Sequence, residues 1–261
     1  MTRRIGALLL RYLYLYRRSL ARAMEIFFWP VMDLLVWGFV TAYLERLAAP
    51  RGVLFLVGGV ILWDVFYRSQ QSITLSISEE IWVRNLINVF ITPIRVSELL
   101  AATCLLGMLR ACVSAGVLGL LAWILYAFRL IAIGPALVPF LASLLLFGWA
   151  VGMFTIGLIL RFGHAAEALI WGIPFLIQPF SAVFYPVDVL PPWLRGAARL
   201  LPSTYVFEGM RDALRTGRAD PGALAAAFAL NLLYLALAAL FFGWMLARVR
   251  EKGFLAKLGM E

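Results

Sequence analysis

The sequence predicts an all-α integral membrane protein, and three observations support this fold class. Hydrophobic residues make up 64% of the 261-residue chain, charged residues only 14%, and the mean hydropathy is +0.92. A soluble domain is nearer to about half apolar and a quarter charged. Six apolar stretches are each long enough to cross about 30 Å of hydrocarbon as a helix. They are also much longer than the strands of a membrane barrel, so we expect helices.

The predicted organisation is one transmembrane domain over residues 1–261, with no soluble domain between its spans. The six spans are expected near residues 24–45, 53–73, 99–127, 135–160, 165–185 and 222–247. Arginines interrupt the apolar residues of the N-terminus throughout, so no cleavable signal peptide is predicted.

The first 22 residues predict an amphipathic helix that lies in the membrane interface. At 100° per residue, four arginines fall within about 40° of one another on the helical wheel. They are Arg4, Arg11, Arg18 and Arg22. The opposite side carries Ile5, Leu9, Leu13, Tyr16 and Leu20. We expect the cationic face to meet anionic headgroups; the alternative is a solvated helix packed on a partner.

The distribution of basic residues predicts the orientation and excludes one class of partner. Lys and Arg are more numerous in the loops that are cytoplasmic when the N-terminus is inside, which predicts cytoplasmic N- and C-termini. A group of arginines between residues 186 and 220 runs against this bias. The net charge is +9, but the arginines flank apolar runs. We therefore expect contacts with the lipid bilayer and none with nucleic acid.

Several chemistries are excluded by residue content. The chain has one histidine, His164, which argues against the usual His and Cys zinc sites. The lysines, Lys252 and Lys257, lie outside any G-K-[ST] context, so no Walker A loop is present to hold ATP. We expect no catalytic residue, metal or cofactor on this chain. If ATP drives its activity, another polypeptide hydrolyses it.

Residues 76–93 predict a short amphipathic helix on the cytoplasmic side, between the second and third spans. Ser76 and Glu79 have the spacing of a capping box, and Pro93 ends the helix. Glu80 and Arg84 have the order that favours an ion pair along a helix. Such a helix could transmit a push from a docked partner into the bundle, or it could simply connect two spans.

This segment carries a resemblance to a known family. Glu79 to Glu98 have the pattern E-x-x-W-x-R-N-L-x-N-x-x-x-T-P-I-x-x-x-E, which resembles the cytoplasmic segment of membrane subunits of type-two ABC exporters. The runs F-Y-P-x-x-x-L-P-x-W-L, from Phe184, and P-x-x-Y-x-F-E-G-M-R, from Pro202, resemble the stretch before the last span of that family.

The resemblance implies a half-transporter of a bacterial-type cytoplasmic (inner) membrane. It implies a homodimer that docks two ATPase subunits, which bind ATP and Mg²⁺, and export by switching between inward-open and outward-open states. The residues implied to couple the ATPase are Glu79, Glu80, Trp82, Arg84, Asn85, Asn88 and Pro93. The turn with Arg161, His164 and Glu167 is expected to be a solvated loop, with a second ATPase contact as the alternative.

Four charged residues lie away from the ends of the predicted spans, where charge is costly and points to function by default. They are Asp33, Asp64, Arg68 and Arg110. Asp64 and Arg68 have ion-pair spacing, and Arg110 is expected to pair with Asp33 or Asp64. An ion pair that fixes the bundle is favoured over a substrate or proton site. Gly148 and Gly152 form a G-x-x-x-G motif for close packing, within a subunit or across a dimer.

Residues 186–218 predict a pair of short re-entrant or interfacial helices that close the outer end of the translocation path. Irregular backbone at membrane depth is tolerated where protein or a watery cavity shelters it. Pro202 is expected to end the first helix, Ser203 or Thr204 to cap the second and Gly217 to end it. The predicted outer-gate residues are Phe184, Tyr185, Pro186, Pro191, Pro192, Trp193, Tyr205 and Glu208.

The leading hypothesis is therefore the transport subunit of an ATP-driven exporter for an amphipathic or lipid-like substrate, namely a drug, a lipid or a lipid-linked polysaccharide. The alternative is a secondary transporter or channel that works without an ATPase. It predicts inverted repeats, which the sequence does not reveal. An intramembrane enzyme would need converging nucleophiles, bases or metal ligands, and no such motif is found.

Overall fold

The computed structural model describes residues 2–46, 54–83 and 85–251, and these ranges are helical without any strand. Short 3₁₀ turns join some of the helices. The α-helices are α1 Thr2–Arg18, α2 Leu20–Arg46, α3 Leu54–Trp82, α4 Leu86–Ile91, α5 Val96–Tyr126, α6 Leu137–Phe162, α7 Leu169–Ile177, α8 Pro192–Ala198, α9 Pro202–Thr216 and α10 Pro221–Glu251.

Four helical stretches in the described residues are long and apolar enough to cross a membrane. They are Phe27–Leu44 in α2, Val96–Tyr126, Leu130–Ala166 around α6, and Pro221–Glu251. The prediction of a helical membrane protein is thus confirmed. The stretches predicted as the second and fifth spans differ from these four. α3 carries polar residues through its middle, and the helical stretch that begins with α7 extends only from Leu169 to Ser181.

α3 is the central helix of the bundle, and it is buried along nearly its whole length from Leu56 to Ile81. Its neighbours are α2, α5, α6 and α7. Because these helices and not lipid surround it, its polar residues find partners on their backbones. The hydroxyl of Ser69 donates to the carbonyl of Leu145 at 2.8 Å, and that of Ser72 donates to the carbonyl of Thr103 at 2.9 Å. The polar character of α3 therefore follows from its position.

The G-x-x-x-G motif of α6 packs against α3 in the same subunit. A Cβ added at Gly148 would lie 2.6 Å from the Cβ of Ser69 and 2.7 Å from the carbonyl oxygen of Phe66. A Cβ added at Gly152 would lie 2.9 Å from the carbonyl oxygen of Gln70. The two glycines therefore permit a close approach of backbones inside one subunit, which answers a question that the sequence left open.

Three of the four arginines on the predicted cationic face of α1 and early α2 bind acidic residues of the same chain. The ion pairs are Arg4–Glu98 at 3.6 Å, Arg11–Glu80 at 2.7 Å and Arg22–Glu79 at 3.1 Å. The side chains of these three arginines remain 46%, 39% and 35% exposed, respectively, so the expected contact of this face with anionic headgroups stays a prediction. The hydrogen bond to Glu80 raises the pKa of Arg11 above its ordinary value.

The helix predicted over residues 76–93 is divided between two elements. α3 continues through Ser76 as far as Trp82, so Ser76 lies within a helix and the predicted capping box is not formed. The chain then bends, and α4 follows with only six residues. Arg84 lies outside the described residues, so its predicted pairing with Glu80 remains a prediction. Glu80 instead accepts hydrogen bonds from Arg11 and, at 2.6 Å, from the amide of Asn85.

Candidate functional site

A cleft of about 520 Å³ lies between α2, α3 and α7, and it brings together three of the four predicted intramembrane charges. We call it the aromatic cleft, because tryptophan, phenylalanine and tyrosine supply much of its wall. The lining residues are Glu25, Trp29, Pro30, Asp33, Trp37, Val60, Trp63, Asp64, Tyr67, Arg68, Gln71, Trp171, Phe175, Gln178 and Phe184.

Asp64 and Arg68 form a buried ion pair at the α3 wall of the aromatic cleft. The Nε of Arg68 lies 3.1 Å from Oδ1 of Asp64, and the two residues are 2% and 6% exposed, respectively. The hydroxyl of Ser114 on α5 donates to Oδ2 of Asp64 at 2.5 Å. Both carboxylate oxygens of Asp64 are thus occupied, as a structural pair requires. The predicted pairing of Asp64 with Arg68 is confirmed.

Asp33 differs from Asp64 in that its carboxylate is exposed to the aromatic cleft. Among the described residues it has no hydrogen-bonding or ion-pair partner. Trp29 and Trp37 lie one helical turn before and after it on α2, so aromatic rings flank the carboxylate. This arrangement suits a positively charged group, which gains from both a carboxylate and the faces of tryptophan rings.

The aromatic cleft reaches the segment predicted to close the outer end of the path. Phe184, a predicted gate residue, stacks on Trp37 with ring centroids 4.0 Å apart and planes at 16°. The α2 residues of the cleft recur every four positions as Glu25, Trp29, Asp33 and Trp37. That spacing places them on one helix face, whereas only the aspartate among them was predicted from the sequence.

Arg110 lies outside the aromatic cleft, and the expectation that it pairs with Asp33 or Asp64 is wrong. Arg110 is 4% exposed, and its Nε and Nη1 have no hydrogen-bonding partner among the described residues. Its guanidinium lies 5.1 Å from the ring centroid of Tyr16 on α1. The physical reason is that Arg68 and Ser114 already occupy the two oxygens of Asp64.

The outer-gate segment forms two short helices, α8 and α9. Pro192 is the first residue of α8, a position where proline is favoured. Pro202 is likewise the first residue of α9. Leu201 lies at the N-cap, and no side chain caps the helix. The prediction that Ser203 or Thr204 caps α9 is therefore wrong. Gly217 ends α9 with a φ of 72°, where glycine is favoured.

Glu208 and Arg211 hold residues 186–218 together and tie them to the end of the α7 stretch. Oε1 of Glu208 accepts hydrogen bonds from the backbone amide of Val187 at 2.8 Å and from Nη2 of Arg211 at 2.7 Å. The same nitrogen of Arg211 donates to the carbonyl of Ala182 at 2.8 Å. Nearby, the hydroxyl of Tyr185 donates to the carbonyl of Pro179 at 2.6 Å. The segment is thus a folded unit held by side chain to backbone bonds.

The other predicted gate residues occupy different places in this unit. Pro186 precedes a short 3₁₀ turn and Pro191 precedes α8, both in extended conformation. Trp193 is 77% exposed and points away from the core. Tyr205 is half-buried on α9. Only Phe184 among the predicted gate residues lines the aromatic cleft.

At the end of the bundle predicted to be cytoplasmic, the predicted coupling residues meet the turn between α6 and α7. The indole nitrogen of Trp82 donates to the carboxylate of Glu167, which also contacts Nδ1 of His164. Trp82 and Val83 remain exposed, and so does Asn88, whose amide donates to the side chain of Asn85 at 3.1 Å. The end of α3 and the turn at residues 163–167 therefore form one surface, which we call the cytoplasmic knuckle after the side of the membrane on which the sequence predicts it.

The remaining predicted coupling residues lie beside this surface and bind α1 and the start of α2. Glu79 and Glu80 accept from Arg22 and Arg11, respectively, and the carbonyl of Pro93 accepts from Arg4 at 2.5 Å. Burial raises the pKa of Glu79 above its ordinary value, and the nearby Arg22 opposes this shift. The glutamates of the predicted coupling set are thus engaged inside the subunit.

Comparison with known proteins places the chain in a family. Residues 7–214, from α1 into α9, match the model of the family described as ABC-2 type transporter. None of the curated proteins compared with the chain is significantly similar to it in sequence. The family match spans well over half of the chain and includes the aromatic cleft, the cytoplasmic knuckle and most of the outer-gate segment. The chain therefore belongs to the ABC-2 type transporter family.

Proposed function

We propose that this chain is the transport subunit of an ATP-driven exporter, which works as a homodimer with two ATPase subunits in a bacterial-type inner membrane. Family membership supports a membrane component of a transporter that acts with ABC ATPase subunits. The sequence has no Walker A loop, so ATP and Mg²⁺ belong to the partner. α3 and the α7 stretch complete six spans, with both termini cytoplasmic.

The observation that carries the proposal is the aromatic cleft. Its walls are largely apolar rings, and its Asp64–Arg68 pair is internally neutralised. The carboxylate of Asp33 remains, between Trp29 and Trp37, together with the exposed carboxylate of Glu25 one turn before Trp29, and neither has a side-chain partner among the described residues. A pocket of this kind favours an amphipathic substrate with an apolar body and a positive group. Such a substrate is a cationic drug or a lipid with a cationic headgroup, and a lipid-linked polysaccharide is the less favoured choice.

The experiment is ATP-dependent uptake into inverted membrane vesicles that contain the chain and its ATPase partner. The probes are rhodamine 6G, a cationic amphipathic dye, and a neutral fluorescent diacylglycerol. We expect vanadate-sensitive uptake of the dye. Asp33→Asn should reduce it about fivefold, the value of a partly exposed charge pair. Asp188→Asn, which removes an exposed carboxylate outside the cleft, is the matched control and should leave uptake unchanged.

Two outcomes would contradict the proposal. Uptake by vesicles that lack the ATPase partner would favour the secondary transporter. Equal effects of Asp33→Asn on the cationic and the neutral probe would remove Asp33 as the group that selects charge.

We further propose that the cytoplasmic knuckle receives the push of the ATPase. Trp82 and Val83 are exposed there, and the Trp82–Glu167 hydrogen bond joins the end of the central helix α3 to the turn that precedes α7. A displacement at this surface therefore reaches two walls of the aromatic cleft, namely α3 and α7.

Glu167→Gln and Trp82→Phe are expected to weaken this connection. A hydrogen bond to a charged group contributes about 1.5–3 kcal/mol, so substrate-stimulated ATPase activity of the reconstituted complex should fall by about tenfold or more. Trp193→Phe, an exposed tryptophan in the outer-gate segment, is the control and should keep full stimulation. Full stimulation in both knuckle variants would exclude this route.

A further inference from the structure

A second cavity, of about 320 Å³, lies at the same end of the bundle as α8 and α9. It is lined by the start of α3, the segment that follows α5 and one face of α9. Its lining residues are Phe55, Ala127, Phe128, Arg129, Ala132, Arg211, Leu214 and Arg215. Three arginines and no acidic residue therefore line this cavity, which we call the arginine cavity.

Arg211 is the buried member of the three. It is 2% exposed, and its Nη2 is occupied by Glu208 and the carbonyl of Ala182. Its Nε and Nη1, by contrast, have no hydrogen-bonding partner among the described residues. Buried donors without partners are costly. Arg211 therefore keeps two buried donors beside the arginine cavity, with its guanidinium 5.6 Å from the ring centroid of Phe55, and a bound anion would satisfy these donors.

The charges around the cavity leave it positive. Glu208 pairs with Arg211, and Asp212 is an exposed neighbour on α9. The side chains of Arg129 and Arg215 are exposed and without a partner among the residues that the structure describes. Two nearby carboxylates thus face three guanidinium groups, of which two are unengaged. Guanidinium groups match the oxygens of phosphate in geometry and charge.

An apolar groove continues from the arginine cavity along α5. It has a volume of about 490 Å³, and Arg129 lines both spaces. Its other lining residues are Ala115, Gly116, Gly119, Leu120, Trp123, Leu130 and Ile131. A Cβ added at Gly116 would meet nothing within 4 Å, so the groove is open along this face. A long apolar groove that begins beside a group of arginines has the shape and polarity that suit a phospholipid.

We propose that these two spaces form one site for an anionic phospholipid. Its phosphate binds Arg129, Arg211 and Arg215, and one acyl chain lies along α5 over Gly116 and Gly119. A free phosphate would satisfy the arginines but would leave the adjoining groove unused. The site lies apart from the aromatic cleft, since the two share no lining residue. It therefore does not depend on the proposed function of that cleft.

The test is equilibrium binding of three probes to the purified full-length chain in detergent, measured by calorimetry. They are dioctanoyl phosphatidylglycerol, dioctanoylglycerol, which lacks the phosphate, and inorganic phosphate. We expect the phosphatidylglycerol to bind most tightly. Arg129→Gln and Arg215→Gln should each weaken it by roughly fivefold, the effect of one basic residue near a lipid phosphate. Both side chains are exposed, so these variants are expected to fold.

Two further variants distinguish a bound lipid from a bound phosphate ion and from a general effect of positive charge. Gly116→Leu fills the groove and should weaken phosphatidylglycerol but not inorganic phosphate. Arg199→Gln removes the same charge from the end of α8, outside the cavity, and should change neither affinity. Equal binding of dioctanoylglycerol, or an Arg199→Gln effect as large as that of Arg129→Gln, would overturn the phosphate site. Unchanged lipid affinity in Gly116→Leu would overturn the lipid assignment.

Discussion

Replacing Asp64 with alanine is expected to lower the free energy of unfolding by about 3–5 kcal/mol, because it leaves a buried guanidinium without its counter-ion. Arg68 is 2% exposed, and its Nε binds Asp64 at 3.1 Å. Ser114 would lose its acceptor at the same time. Thermal unfolding of the purified chain in detergent measures the effect as a lowered midpoint.

Two variants make the Asp64 experiment specific. Asp64→Ala combined with Arg68→Met removes both charges and should recover much of the lost stability, since a buried pair replaced by apolar residues is often neutral. Asp33→Ala removes an exposed carboxylate on the neighbouring helix and should leave the midpoint nearly unchanged. If Asp64→Ala unfolds at the wild-type temperature, the pair does not hold α3 in place.

The second large effect is expected from Gly148→Ala, which should destabilise the bundle by about 1–3 kcal/mol through overpacking. The new methyl group would lie 2.6 Å from the Cβ of Ser69 and 2.7 Å from the carbonyl oxygen of Phe66. The second contact is with backbone, which a side-chain rotation cannot relieve. α6 must therefore move away from α3, and the Ser69–Leu145 hydrogen bond between these helices is strained as well.

Gly243→Ala on α10 is the matched control for Gly148→Ala. An added Cβ there meets nothing within 4 Å, so the variant should gain up to about 1 kcal/mol from helix propensity. The two variants are compared by their unfolding midpoints and by the fraction that elutes as monodisperse protein. Equal behaviour would mean that the α3–α6 contact is looser than the structure indicates.

The sequence predicted best the helices that are determined by residues close together in the chain. The helices α5, α6 and α10 lie close to their predicted ranges, because an apolar run of that length has few alternatives in lipid. α3 was predicted as a span and a separate helix from Ser76, since Ser76 and Glu79 have capping-box spacing. The bundle overrides this local signal by continuing the helix to Trp82.

The parts that were missed depend mostly on contacts between distant segments. A helical wheel finds the arginine face of α1, but it cannot reveal that Glu79, Glu80 and Glu98 come to meet it. The partner of Arg110 was predicted wrongly because the sequence does not show that both oxygens of Asp64 are already occupied. The repeat of Trp29, Asp33 and Trp37, by contrast, is a local signal, since their four-residue spacing alone places them on one face of α2.

The burial of α3 has a consequence for how the protein enters the membrane. As a proposed span, a newly made α3 would meet lipid before its neighbours surround it, and Asp64 and Arg68 would each cost about 2.5–3.5 kcal/mol at the centre of a lone inserted helix. The polar residues from Ser69 to Ser72 add to this cost. We therefore expect α3 to be a poor membrane-inserting segment by itself and to depend on α2 and α5 during biogenesis. The central helix, which is buried along nearly its whole length in the folded protein, would therefore depend on neighbouring helices for its insertion.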